Sequence, residues 1–227
     1  MTSSREASLR SELVDTCNAM SEHGLTFGTS GNASARLDED SLLITPTGLP
    51  YASLHPNDIV HLRYDGQFYG SQRPSSEWLF HRDIMRERHD VNAVVHTHSS
   101  FATTLACQGT SIPSFHYMVA VAGGDNIRCA PYALFGTQAL SDQALEALDQ
   151  RTACLLANHG QLALGKDLSA ALKMAGEVET LSRMFWQSLQ NGSPILLSVE
   201  EMAHVKKKFE YYGKQDAPLD DGLSQDK

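Results

Sequence analysis

The chain has 227 residues, 41% of them hydrophobic and 20% charged, and a formal net charge of −9. That length and mix suit one large globular domain with a sizeable core and exclude a disordered or fibrous chain. The acidic balance argues against a nucleic-acid surface, which gathers Lys and Arg against phosphates, so any anionic ligand must be held by local features.

In chain order, "SSREASLRSELVDTCNAMSEHG" reads as a helix: Leu9, Leu13, Cys17 and Met20 recur at helical spacing, Ser3 and Glu6 form a capping-box pattern, and Gly24 offers a stop. "NASARL", "SLLIT" and "DIVHLR" follow as short strands separated by Gly, Pro, Asn and Asp. "SSEWLFHRDIMRERH" is predicted to be a helix capped by Ser75 or Ser76, and "NAVVHTH" a buried strand. "TACLLANHG" reads as another strand, "SAALKMAGEVETLSRMFWQSL" as a long helix and "SVEEMAHVKKKFEYYG" as the last one. Strands mixed with helices predict α/β layers. Neither a repeat nor a linker breaks residues 1–213, which are expected to form one domain, and "KQDAPLDDGLSQDK" at 214–227 is expected to be a polar, mobile tail. The N-terminal "MTSSREASLR" lacks an apolar signal region, and no apolar run reaches the roughly 18 residues that span a bilayer, so a soluble cytoplasmic protein without a membrane partner is expected. Cys17, Cys107, Cys129 and Cys154 form no C-x-x-C pair and are expected to be buried free thiols.

In "AVVHTHSSF" side chains of a strand would alternate between faces, so His96 and His98 would project together and could grip one ion. The same spacing also suits two hydrogen-bonded histidines at a strand end. A third candidate is His159, which ends the apolar run "ACLLANHG" beside Gly160. Three neutral imidazoles with an open position make a catalytic zinc arrangement. His23, His55, His61, His89 and His204 lie in polar or helical surroundings and are expected at the surface.

"FGTSGNAS" and "ITPTG" offer backbone N–H groups and hydroxyls suited to a phosphate, and "RPSSEW" adds two serines at a helix N-terminus, where the dipole favours an anion. Singly, each is an ordinary turn, and neither a P-loop nor a dinucleotide fingerprint is present. Together they would hold phosphate without a lysine. Glu77 follows the serines directly: it is either a general acid or base beside a cation and an anion, or a first-turn glutamate that stabilises the helix dipole.

"GTSGNAS", "TPTG", "SSEW", "VVHTHSS", "IPSFHYMVAVAGG", "CAPYALFGT" and "NHG", in this order, resemble the class II aldolase and adducin family over nearly the whole chain, from about residue 8 to 213. The resemblance implies a three-layer α/β/α sandwich around a mainly antiparallel sheet, assembled as a C4 homotetramer with active sites shared between subunits. It places zinc on His96, His98 and His159, and substrate phosphate on Gly31, Asn32, Thr47, Gly48, Ser75 and Ser76. It makes Glu77 the carbon acid or base, Tyr117 the group that handles the hydroxyl proton, and Tyr212 a substrate-side residue, both tyrosines coming from across a subunit boundary. The implied reaction is zinc-dependent, reversible cleavage of a ketose 1-phosphate, L-fuculose 1-phosphate or similar, to dihydroxyacetone phosphate and an aldehyde. The alternatives are 5-deoxyribulose or methylthioribulose 1-phosphate as substrate, or a sugar-acid phosphate decarboxylase of the same family. Thr97 and Asn158 depart from residues found in the family, though neither is a ligand position. A zinc hydrolase would leave the phosphate loops and tyrosines without a task. An adducin-like scaffold would not need the histidines.

Overall fold

The computed structural model describes residues 4–209; Ser3, Tyr212 and the tail at 214–227 lie outside them. Among the described residues there are eight strands: β1 (Asn32–Arg36), β2 (Ser41–Ile44), β3 (Val60–Arg63), β4 (Phe68–Tyr69), β5 (Ala93–Thr97), β6 (Cys129–Ala130), β7 (Ala153–Leu156) and β8 (Gly160–Gly165). They form one sheet in the order β4-β3-β2-β1-β5-β8-β7-β6. All neighbours run antiparallel except β6 and β7, so the expected sheet carries one parallel edge pair.

The helices are α1 (Ser4–Glu22), α2 (Trp78–Glu87), α3 (Ser100–Cys107), α4 (Gln138–Ala147), α5 (Leu168–Leu189) and α6 (Val199–Phe209). Strand alternation sorts the core into two faces. Leu42, Ile44, Val94, Leu162 and Leu164 meet Phe80, Ile84 and Met85 of α2 and Leu140 and Ala144 of α4. Ala33, Ala35, Leu43, Val95 and Ala163 meet Leu13, Cys17 and Met20 of α1 and Ala171 and Ala175 of α5. A third cluster extends that second face, where α3, the later half of α5 and Met202 of α6 cover Ala153 and Leu155 of β7. The result is the expected α/β/α sandwich.

Local signals explain the elements. Leu13, Thr16, Cys17 and Met20 form the buried stripe of α1, which ends where Gly24 takes φ +67° and the Leu25 N–H returns to the Met20 carbonyl at 2.9 Å. The Asp167 side chain caps α5, accepting from the Ala170 N–H at 2.7 Å. On the face toward the sheet, that helix buries alanines at 171 and 175, which let it approach closely. Strand β1 is unusual: its α1-facing side is Ala33 and Ala35, whereas its α2-facing side buries Asn32 and Ser34.

Several expectations are corrected. Helix α2 starts at Trp78 with Glu77 at the cap position and no side-chain cap. The Ser75 hydroxyl accepts from the Glu77 N–H at 3.3 Å, too early in the chain to cap the helix. The run 152–160 is not one strand: β7 stops at Leu156, Asn158 takes φ 55°, and Gly160 opens β8. Of the cysteines, Cys17 and Cys154 are buried, while Cys129 is half-buried and Cys107 exposed; all four are free. His61 is half-buried on β3, its ring centroid 5.4 Å from that of Tyr69, whereas His23, His55, His89 and His204 are exposed as expected.

Candidate active site

Strand β5 lies in the middle of the sheet, between β1 and β8, and carries His96 near its end. Alternation sends Val94 and His96 toward α2, where Phe80 packs edge-on against the His96 ring at 5.5 Å between centroids. A buried phenylalanine of this kind stabilises by roughly 1.5–3 kcal/mol, so the ring wall is part of the core itself. His96 is fully buried, and its Nδ1–H donates to the Gln161 carbonyl at 2.8 Å. That bond fixes the tautomer and leaves a lone pair on Nε2.

His98 follows two residues later, with its Nε2 3.0 Å from that of His96. His159 reaches the same point from the tight β7–β8 turn, where Gly160 is required: a Cβ there would stand 2.4 Å from the Thr97 carbonyl and 2.8 Å from His98 Cδ2. The three rings stand nearly perpendicular to one another, with centroids 4.8, 4.8 and 4.9 Å apart. Their ligand atoms all lie within 4.8 Å of one another. Imidazoles on a tetrahedral ion at about 2.0–2.1 Å sit roughly 3.3 Å apart, so this cluster can hold one metal ion.

Glu77 lines the same point, its Oε2 3.3 Å from His96 Nε2 and its Oε1 3.0 Å from His159 Nε2. A carboxylate and the bare Nε2 of His96 turned on one another call for a cation, which is the donor chemistry of a metal centre. Around this centre, Gln161 donates to Ser99 Oγ at 2.8 Å and to the Ala175 carbonyl at 3.1 Å. Glu179 accepts from the N–H groups of Phe101 and Ala102, both at 2.9 Å, so the chain just past His98 is tied to α5.

The three loops converge here. Thr29, Ser30, Gly31 and Asn32, then Pro46, Thr47 and Gly48, then Ser75, Ser76 and Glu77 line one cleft of about 320 Å³ with His98, Asn158 and His159. Tyr132, Ala133 and Phe135 form an additional, partly aromatic part of its wall. Gly31 takes φ +87°, and a Cβ on it would meet the His96 carbonyl at 2.8 Å, so only glycine lets the first loop sit against the histidine strand. The second and third loops are pinned together by Thr47 N–H to Arg73 O at 3.1 Å and Ser75 N–H to Thr45 O at 3.0 Å. The Asn32 side chain is turned inward, donating to Glu77 Oε2 at 2.8 Å, and the Ser75 side chain is buried, so Thr47, Gly48 and Ser76 are the more open groups of the set.

Residues 11–186 match the model of the Class II Aldolase and Adducin N-terminal domain. The chain belongs to the class II aldolase and adducin family. A 5-methylthioribulose-1-phosphate/5-deoxyribulose-1-phosphate aldolase of Rhodospirillum rubrum is 53% identical over 205 residues, 90% of this chain and 92% of the relative. An L-fuculose phosphate aldolase of Escherichia coli is 45% identical over 206 residues, 90% of this chain and 95% of the relative. A solved L-fuculose 1-phosphate aldolase superposes with a TM-score of 0.87 at 37% identity, covering 92% of this chain and 98% of that one. The protein is thus a carbon–carbon lyase of the metal-dependent class II aldolase family.

Within that family setting, Tyr117 stands apart from the cleft. It opens a 3-10 turn, is about half exposed, and stacks on Phe209 at 6.2 Å between centroids. Among the described residues no helix is long and apolar enough to cross a membrane. Sequence reading missed Gln161, Glu179 and His81. His81 had a usable signal, since it lies four residues after Glu77 and thus on the same side of the chain once α2 begins.

Burial sets the protonation of the cluster. It lowers His96 to about 3 and His98 below its usual value, so both rings are neutral near pH 7, as ligands must be. Burial opposes ionisation of Glu77, but the imidazoles of His96 and His159 and the Asn32 amide outweigh it and hold the carboxyl well below the ordinary carboxylate range. His81 is likewise lowered to about 3 by burial. The unfolded chain therefore binds more protons than the native one as pH falls below about 6.5, and stability present above that pH is lost on the way toward 3. Thermal melts of the metal-free protein are expected to show a loss of about 2 kcal/mol per buried histidine by pH 5. Melts that stay flat from pH 7 to 5 would contradict neutral burial of these rings.

Proposed function

We propose that the protein is a zinc-dependent aldolase that reversibly cleaves a ketose 1-phosphate to dihydroxyacetone phosphate and an aldehyde, working in the cytoplasm as a C4 homotetramer. The observation that carries this reading is the meeting of three imidazoles, one ionised carboxylate and three hydroxyl-rich loops in a single cleft. Zinc held by His96, His98 and His159 would supply the positive charge that offsets the anion left when a carbon–carbon bond beside a ketone breaks.

The remaining work falls to the chain. Thr47, Gly48 and Ser76, with Gly31, Asn32 and Ser75 around them, hold the phosphate end at the start of α2, so that binding energy fixes the reacting carbons. In the synthetic direction the Glu77 carboxylate takes a proton from the hydroxymethyl carbon of dihydroxyacetone phosphate. That carbon then bonds to the aldehyde carbon, and Tyr117 of a neighbouring subunit gives its proton to the new alkoxide. Cleavage runs the same steps backward. Tyr212, also reaching in from a neighbour, closes over the aldehyde half. The position of Tyr117 outside its own chain's cleft supports a shared site.

On the choice of aldehyde, relatives of both expected substrate classes are similar to this chain. The Rhodospirillum rubrum relative, at 53% identity, favours 5-deoxyribulose or 5-methylthioribulose 1-phosphate, with L-fuculose 1-phosphate, the substrate named for the Escherichia coli relative at 45% identity, as the second reading. The test is a coupled reductase assay for dihydroxyacetone phosphate with these three substrates, and a 3-oxo-tetronate 4-phosphate as the decarboxylation control. Turnover of the two 5-substituted ribuloses at least about tenfold above the fuculose is expected, a difference of about 1.4 kcal/mol. No dihydroxyacetone phosphate from any of them, with metal bound, sinks the aldolase reading.

A further inference from the structure

The phosphate loops and the histidine triad leave one buried polar chain unexplained. Ser34 and His81 are fully buried and Asn32 nearly so, on the side of β1 that faces α2. Ser34 Oγ lies 2.7 Å from His81 Nδ1, His81 Nε2 lies 2.6 Å from Asn32 Oδ1, and Asn32 Nδ2 lies 2.8 Å from Glu77 Oε2. Buried polar groups at this depth are costly unless all are satisfied, and here each has its partner.

One fixed end sets the direction of the whole chain. An ionised carboxylate can only accept, so Asn32 must turn its NH2 toward Glu77 and its carbonyl toward His81. A carbonyl can only accept, so His81 must carry its proton on Nε2. The ring is neutral, so Nδ1 is bare and the Ser34 O–H donates to it. If the proton moved to Nδ1, Nε2 would face a carbonyl oxygen with no hydrogen between them. The amide would then gain by flipping, and its oxygen would confront the carboxylate.

We propose that His81 is a positioning residue for Glu77: by donating from Nε2 it locks the Asn32 amide with its N–H toward the carboxylate, and so fixes that carboxylate beside His96 and His159. This rests on Glu77 being the group that moves the carbon proton. His81 does not itself line the cleft and hydrogen-bonds to none of the three imidazoles, so it reaches Glu77 through Asn32. Its place at four residues past Glu77, and the polar pair Asn32 and Ser34 at alternate positions of β1, are the sequence expression of the device.

Two measurements test it. In the first, exchange of the hydroxymethyl proton of dihydroxyacetone phosphate with deuterium oxide is followed in His81→Leu and His81→Gln, the glutamine amide keeping a donor where Nε2–H stands. His81→Leu is expected to lower the exchange rate about 10- to 100-fold with KM and zinc content unchanged, and His81→Gln to recover it to within about threefold of the parent. Equal losses in both variants, or no loss in either, overturn the proposal. In the second, nitrogen-15 spectra of the unaltered protein are expected to show His81 as the neutral Nε2–H tautomer from pH 5.5 to 8; an Nδ1–H tautomer or a protonated ring overturns it even if the variants do not fold. The spectra need no turnover, so an inactive protein with the expected tautomer counts against the aldolase reading and leaves the assignment of His81 standing.

Discussion

Glu77→Gln is expected to lower kcat by about 10²–10⁴-fold, the range carried by a positioned general acid or base, while zinc content stays at one per chain. Glu77 is buried, is held ionised, and reaches the triad with both oxygens at 3.0 and 3.3 Å from imidazole nitrogens. Glutamine keeps the volume and can still accept from Asn32 through its carbonyl, so the cleft should survive. What goes is the base. Measurement of kcat and of bound metal on the same preparation separates two roles, because loss of both together would make Glu77 a ligand rather than the proton carrier.

Stripping the metal should have an effect of comparable size. Chelation is expected to remove at least about a thousandfold of turnover, since a bound cation supplies several kcal/mol of charge stabilisation at the reacting oxygens. His159→Ala should weaken metal affinity by more than about 100-fold, beyond what loss of an outer partner of a ligand costs. Restoring zinc to the chelated parent should restore activity, whereas the alanine variant should stay inactive at stoichiometric metal. Full activity of the chelated protein would remove metal from the reaction. Tight zinc binding by His159→Ala would move the third ligand elsewhere.

Much of this site is legible in the chain. His96 and His98 stand out because a strand puts alternate residues on one side, and Gly31, Gly48 and the paired serines mark loops with exposed donors. The strands β1, β2, β3 and β5 and the helices α1, α2, α5 and α6 follow from periodicity and Gly or Asp signals close to the observed bounds. Other parts resist. The strand read over "TACLLANHG" overshoots β7, because the chain already turns at Asn158, at φ 55°, and Gly160, read as the turn, instead opens β8. Helix α4 buries just Leu140, Ser141, Ala144 and Ala147, too weak an apolar stripe to declare itself. Serines 75 and 76 look like caps, yet the helix begins after them because Glu77 is drawn into the imidazoles instead of the first turn. His81 hides in an amphipathic pattern, since nothing in one sequence says that β1 will bury a polar side against it.

The pairing of β5 with β8 also bears on how the protein is made. His96 and His98 are neighbours in one short segment, but His159 reaches them only across a contact that joins residues 65 apart in the chain, His96 to Gln161. Closing so long a loop is entropically slow and belongs late in folding. A nascent or partly folded chain therefore offers an ion two imidazoles, and the third arrives with the completed sheet. Metal uptake, followed during refolding, becomes a clock for this long-range pairing, and a bound ion would stabilise only chains in which it has formed.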